Sequence, residues 1–121
     1  MSSEKTLRAA DLAQFTGSEY WHPHELNPSI SYTDGALYVA EAGGAYWLLD
    51  AIVSHQCDPK VAAEAFQVWT LTVREDRSAK LSCEDGDYNL VTVQEITFTD
   101  FPLPTVTLWF QNRVIFLPSE Y

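Results

Sequence analysis

At Phe66 the hydrophobic pattern of the chain changes period. Upstream, Ala45, Leu48, Leu49, Ile52, Val53 and Gln56 recur at i, i+3, i+4 and i+7, which predicts one amphipathic helix over Gly44–Gln56. Downstream, Phe66 to Val73 is rich in β-branched and aromatic residues, and Ala79, Leu81 and Cys83 alternate with Ser78, Lys80 and Ser82. Leu90 to Val93 pairs back, and Thr105 to Phe110 with Val114 to Leu117 makes a last hairpin across Gln111-Asn112-Arg113. The connections Arg74 to Arg77 and Glu84-Asp85-Gly86-Asp87 are too short for crossovers, so the strands run antiparallel. The expected fold class is α+β: an antiparallel meander of about six strands with the helix on its apolar face.

Three further elements are expected upstream and between. Leu7, Ala10, Leu12 and Phe15 predict a short N-terminal helix over Thr6 to Phe15, stopped near Gly17. Ile30 to Thr33, Asp34-Gly35 and Ala36 to Val39 read as a β-hairpin, because Asp-Gly suits a type I′ turn. Asp58-Pro59 supplies an N-cap and first position for a helical turn reaching about Glu64. At 121 residues with 46% apolar side chains, the material suffices for one core, so residues 1–121 are read as a single domain.

Charge narrows the partners. Seventeen acids against seven bases give a formal net charge of −10. No Lys or Arg occurs between Arg8 and Lys60, and after Lys80 the only base is Arg113. Such a chain repels nucleic acid and anionic lipid and attracts basic protein surfaces. The longest apolar run, Ala45 to Leu49, is far below a membrane span. The polar start without a leader-like segment and the two cysteines, Cys57 and Cys83, point to a reducing cytoplasm.

Chemistry-bearing patterns are sparse. His22-Pro23-His24 and His55-Gln56-Cys57 carry zinc-type donors, but their spacing matches no finger or ribbon, and surface histidines with a helix-end thiol account for them. Cys83 shares a strand face with Leu81 and Ala79 and reads as core, while acids around Cys57 disfavour its thiolate. Asp85, Asp87 and Asn89 begin like a calcium loop, yet Leu90 and Ile96 stand where its Gly and bidentate Glu belong. No catalytic residue, metal or cofactor is therefore expected.

Phe15-Thr16-Gly17, Tyr32-Thr33-Asp34-Gly35, Gly44-Ala45-Tyr46-Trp47-Leu48-Leu49-Asp50, Phe66-Gln67-Val68-Trp69, Thr99-Asp100-Phe101-Pro102-Leu103 and Leu117-Pro118-Ser119-Glu120-Tyr121 form a recognisable set. Over residues 12–121 the chain resembles a small uncharacterised domain family of bacteria, phages and plasmids. The resemblance implies one compact domain on mobile elements and brings no activity, cofactor or active site. Combined with the charge, it favours an acidic protein-binding inhibitor or adaptor, in its concrete form an anti-CRISPR or other anti-defence protein occupying a basic nucleic-acid-binding surface. Turns project from a sheet, so Glu84, Asp85 and Asp87 are the primary candidate contacts and Glu75 and Asp76 the secondary ones. The alternatives are a small hydrolase-like enzyme using His22, His24, His55 and carboxylates, or a structural interaction module.

Overall fold

The computed structural model describes residues 21–121, so the helix expected over Thr6 to Phe15 lies outside the described residues. The described elements are β1 (Trp21–Pro23), β2 (Ser31–Thr33), α1 (Asp34–Ala42), α2 (Tyr46–His55), α3 (Pro59–Ala62), β3 (Phe66–Val73), β4 (Ala79–Glu84), β5 (Leu90–Ile96), β6 (Thr105–Gln111) and β7 (Val114–Phe116), closed by a 3-10 turn over Pro118–Glu120. Together they make an α+β fold around one seven-stranded sheet of order β1-β2-β7-β6-β3-β4-β5.

The expected meander is present only as β3-β4-β5. β6 returns to the other side of β3 and pairs antiparallel with it, setting Trp69 opposite Leu108 and Leu71 opposite Val106. β2 lies parallel to β7, with Tyr32 opposite Ile115, and β1 runs antiparallel along β2. Strand parity sends Trp69, Leu71, Leu81, Cys83, Val106 and Leu108 to one face. There they join Val39 and Ala40 of α1 and Leu48, Leu49, Ile52 and Val53 of α2 in a single buried core. Cys83 is a core residue, as its strand position implied.

The hairpin expected at Asp34-Gly35 is not formed; these two residues open helix α1. Thr33 is its N-cap, extended at φ −81° and ψ 173°, with Oγ1 accepting from the Ala36 amide at 3.3 Å. The decisive group comes from the far end of the chain. Glu120 accepts from Thr33 Oγ1 at 2.6 Å, from the Gly35 amide at 3.1 Å and from the Leu117 amide at 2.8 Å. A carboxylate held at a helix N-terminus satisfies unpaired amides and opposes the helix dipole. Gly35 is required for this close approach, not for a turn: an added Cβ would come within 2.5 Å of Glu120 Oε1 and 2.7 Å of a Leu117 methyl. A two-residue turn with positive φ at both positions does occur, at Asn112 (55°) and Arg113 (63°), between β6 and β7.

Two helices therefore cover the sheet where one main helix was expected. They are joined by a Schellman ending. Gly44 takes φ 62°, its amide reaches Glu41 O at 3.4 Å, and the Ala45 amide reaches Ala40 O at 2.8 Å. Below α2, Gln67 of β3 is fully buried and ties three elements together. Its Nε2 donates to Gln56 Oε1, Val61 O and Glu64 O, and its Oε1 accepts from Gln56 Nε2 and Trp69 Nε1. Asp58 caps α3 through the Lys60 amide, as its place before Pro59 implied.

Leu49→Ala or Ile52→Ala is expected to cost about 2–5 kcal/mol in urea unfolding, because both side chains are fully enclosed. Glu120→Ala is expected to cost about 1–3 kcal/mol by the same measurement, since buried donors at the start of α1 lose a charged acceptor. Loss of less than half a kcal/mol, on the order of measurement error, would show that α1 does not need this cap.

Candidate functional site

The acidic turns lie at opposite ends of the sheet, because β3, β4 and β5 follow one another antiparallel. Glu84, expected in the turn after β4, instead ends that strand, half-buried and opposite Val68 on the face away from the helices, while Asp87 in the turn itself is exposed. Asp85 is instead engaged within the loop. It accepts from the Asp87 amide at 2.8 Å, the Asn89 amide at 3.0 Å and Asn89 Nδ2 at 3.1 Å. These bonds, the Asn89 contacts foremost, hold its carboxyl below the usual aspartate range. Asp76 likewise closes the turn after β3, accepting from Ser78 Oγ at 2.6 Å and the Ser78 amide at 2.9 Å, and its pKa is lowered chiefly by them. Glu75 beside it is exposed. Bases dilute this second turn. Arg74 pairs with Glu95 at 3.0 Å, and Arg77 donates to Thr99 O and Phe101 O.

Sequence reasoning missed what adjoins the turn after β4. Phe66, Trp109, Phe116 and Tyr121 form one aromatic cluster on the open sheet face. Ring centroids lie 5.2 Å apart for Phe66–Trp109, 6.1 Å for Trp109–Phe116 and 5.4 Å for Trp109–Tyr121. Tyr121 stacks on Phe116 at 14° yet remains 79% exposed. The acidic turn abuts this cluster, since a Cβ at Gly86 would meet the Phe66 ring at 3.3 Å. Exposed Tyr88 and Leu90 continue the apolar surface onto β5, the sheet edge. Parity carried the missed signal: Trp109 and Phe116 are out of phase with the core residues Phe110 and Ile115.

The histidines go to three different partners. His22 Nε2 lies 2.8 Å from Asp34 Oδ1, and His55 Nε2 lies 2.7 Å from Gln94 Oε1 with its ring against Trp69. His24 is buried, with Nε2 at 2.8 Å from Asp50 Oδ1 and Nδ1 accepting from the Leu26 amide at 3.1 Å. That assigns the Nε2–H tautomer and leaves neither ring nitrogen free for proton transfer. His24 is thus the prop that orients Asp50. Among the described residues no group of three or more His, Cys, Asp or Glu is placed to hold a metal ion.

Asp50 opens onto a cleft of about 300 Å³, walled also by Glu25, Leu26, Tyr32, Tyr46 and Leu49. The loop after β1 supplies one side and α2 the other, and the Schellman turn sets the angle between α1 and α2 that brings Glu41 beside Tyr46. The Tyr32 hydroxyl is pushed above its ordinary range by burial and then by Glu25, Glu41 and Asp50. Tyr46 is raised by burial first, then by Glu41, which also accepts its hydrogen bond.

The family model described as a family of unknown function, DUF6876, matches residues 6–121. The chain belongs to this family. No curated protein and no solved structure matches it. Membership in DUF6876 covers the whole described fold, including both the aromatic face and the cleft, and carries no activity with it. No helix among the described residues is long and apolar enough to cross a membrane.

The two thiols are expected to separate cleanly. Burial, followed by Glu64, Asp85 and Glu84, pushes the Cys83 thiol up to about 12, whereas Cys57 is exposed. Iodoacetamide at neutral pH should label one thiol in the folded protein and two after denaturation. Rapid native labelling at Cys83 would show that β4 opens readily.

Proposed function

We propose that the protein is an acidic binding module that engages a basic protein surface through the open face of its sheet, at the end carrying the turn after β4. The observation that supports this is the juxtaposition of the Phe66–Trp109–Phe116–Tyr121 cluster with Glu84 and Asp87. An aromatic centre with a charged rim is the usual anatomy of a protein interface, the aromatics giving affinity and the rim governing encounter. No described helix covers this face, because α1 and α2 both lie on the other one. Charge complementarity selects the partner: a surface of Lys and Arg, of the kind that binds phosphates, and in its narrow form a nucleic-acid-handling defence complex.

Glu84 and Asp87 are the rim contacts in this reading, with Glu75 at the far end too remote and too diluted by Arg74 and Arg77 to share them. Asp85 shapes the loop from within. The test is surface-plasmon binding to the partner recovered by affinity capture from the host, near 0.1 M and near 1 M salt, where the screening length falls from about 10 Å to about 3 Å. The double reversal Glu84→Lys, Asp87→Lys should slow association at low salt by about tenfold, and Tyr121→Ala should speed dissociation. Affinity indifferent to salt and to all three changes would remove the reading.

A further inference from the structure

The cleft beside Asp50 lies on the helical side of the sheet, away from the aromatic face, and the proposed interface makes no use of it. We propose that this cleft is a binding site for an organic cation, a primary ammonium or a guanidinium group.

Four observations converge on that chemistry. The space, about 300 Å³, suits an alkyl-ammonium or alkyl-guanidinium group and sits at the lower end of ligand pockets. Its walls pair two tyrosines, Tyr32 and Tyr46, with the exposed side chain of Leu26, a lining able to take an alkyl stem and set aromatic rings near a cation, while enclosed Leu49 closes the floor. Asp50 is held in place by buried His24 through Oδ1, and Oδ2 has no hydrogen-bond partner among the described residues. No Lys or Arg lines the cleft, since every lining residue falls within the stretch between Arg8 and Lys60 that contains none, and His24 accepts the Leu26 amide at Nδ1, as its neutral form does.

The Tyr32 and Tyr46 hydroxyls are raised first by burial and then by carboxylates, with Glu25 and Glu41 acting on both. A second negative charge is disfavoured there and a positive one is favoured. A bare metal ion fits less well than an organic cation. The donors stand around an aromatic-walled space and do not converge in the way a metal centre needs.

The test is a titration of the uniformly ¹⁵N-labelled full chain, followed by amide shifts, with n-butylguanidinium, n-butylammonium and neutral n-butanol. Capped Gly-Arg-Gly and Gly-Lys-Gly peptides form a second arm. The expected result is saturable shifts at the amides of residues 24–26 and 46–50 with the cations and none with n-butanol. Peptides binding at least as tightly as the free cations would assign the ligand to a side chain of a protein partner. Exclusion of the peptides would assign it to a free amine or guanidine.

Asp50→Asn keeps an oxygen for His24 Nε2 but removes the charge, and should weaken cation binding about tenfold or more. Tyr46→Leu should weaken it by removing one aromatic wall, while Glu95→Gln on β5 should leave it unchanged. All three variants alter exposed side chains, so an unchanged amide spectrum elsewhere certifies the fold. Equal shifts with n-butanol, a response that follows ionic strength without saturating, or binding untouched by Asp50→Asn and Tyr46→Leu would each overturn the proposal. Because these readouts need no macromolecular partner, they are independent of whether the aromatic face binds one.

Discussion

The carboxylate of Glu120 sits between two ends of the described chain and holds both. It accepts from Thr33, Gly35 and Leu117, so the start of α1 and the C-terminal 3-10 turn share one anion. The helical side of the cleft follows from where that contact starts α1. With α1 begun at Asp34, the chain reaches Gly43 after nine helical residues, turns at Gly44 and enters α2 with Tyr46 and Asp50 facing the loop after β1. Had Asp34-Gly35 formed a hairpin instead, Glu41 would not lie beside Tyr46. One charge-assisted cap thus outweighs a local turn preference, which fits the greater strength of hydrogen bonds to ionised groups.

A second polar centre, Gln67, ties the helices to the face that strand parity makes apolar. A buried primary amide costs stability unless its donors and acceptor are all met. Gln56, Val61, Glu64 and Trp69 meet them together, and only with the end of α2 and α3 lying on the Trp69 side. The opposite face is left to Phe66, Trp109, Phe116 and Tyr121, which cover one another without a helix. Core and candidate interface are therefore two outcomes of one packing decision.

The acidic surplus divides by what each carboxylate touches. Asp58, Asp76, Asp85 and Glu120 accept backbone amides and are parts of the architecture. Glu84 and Asp87 stand by the aromatic face, and Glu25, Glu41 and Asp50 gather at the cleft. Net charge is therefore a poor guide to where a partner binds. It sums structural acceptors with carboxylates that remain open to solvent.

Periodicity alone determined much of this fold. The stripe through Leu48, Leu49 and Ile52, the alternation in β3 and β4, the Asp58 cap and the core position of Cys83 were all legible, because each depends on neighbours a few residues away. The acidic turn after β4 was legible as a projecting loop, but the aromatic cluster beside it draws Phe66, Trp109, Phe116 and Tyr121 from separate segments, and only the folded sheet sets them side by side. Tertiary structure decided the rest. Glu120 lies 85 residues from Gly35, His24 lies 26 from Asp50, and β2 joins β7 in parallel across most of the described chain. Gly35 shows the reason most plainly. Its missing Cβ reads locally as a turn signal, yet the space it leaves is filled by a carboxylate that only the folded chain delivers.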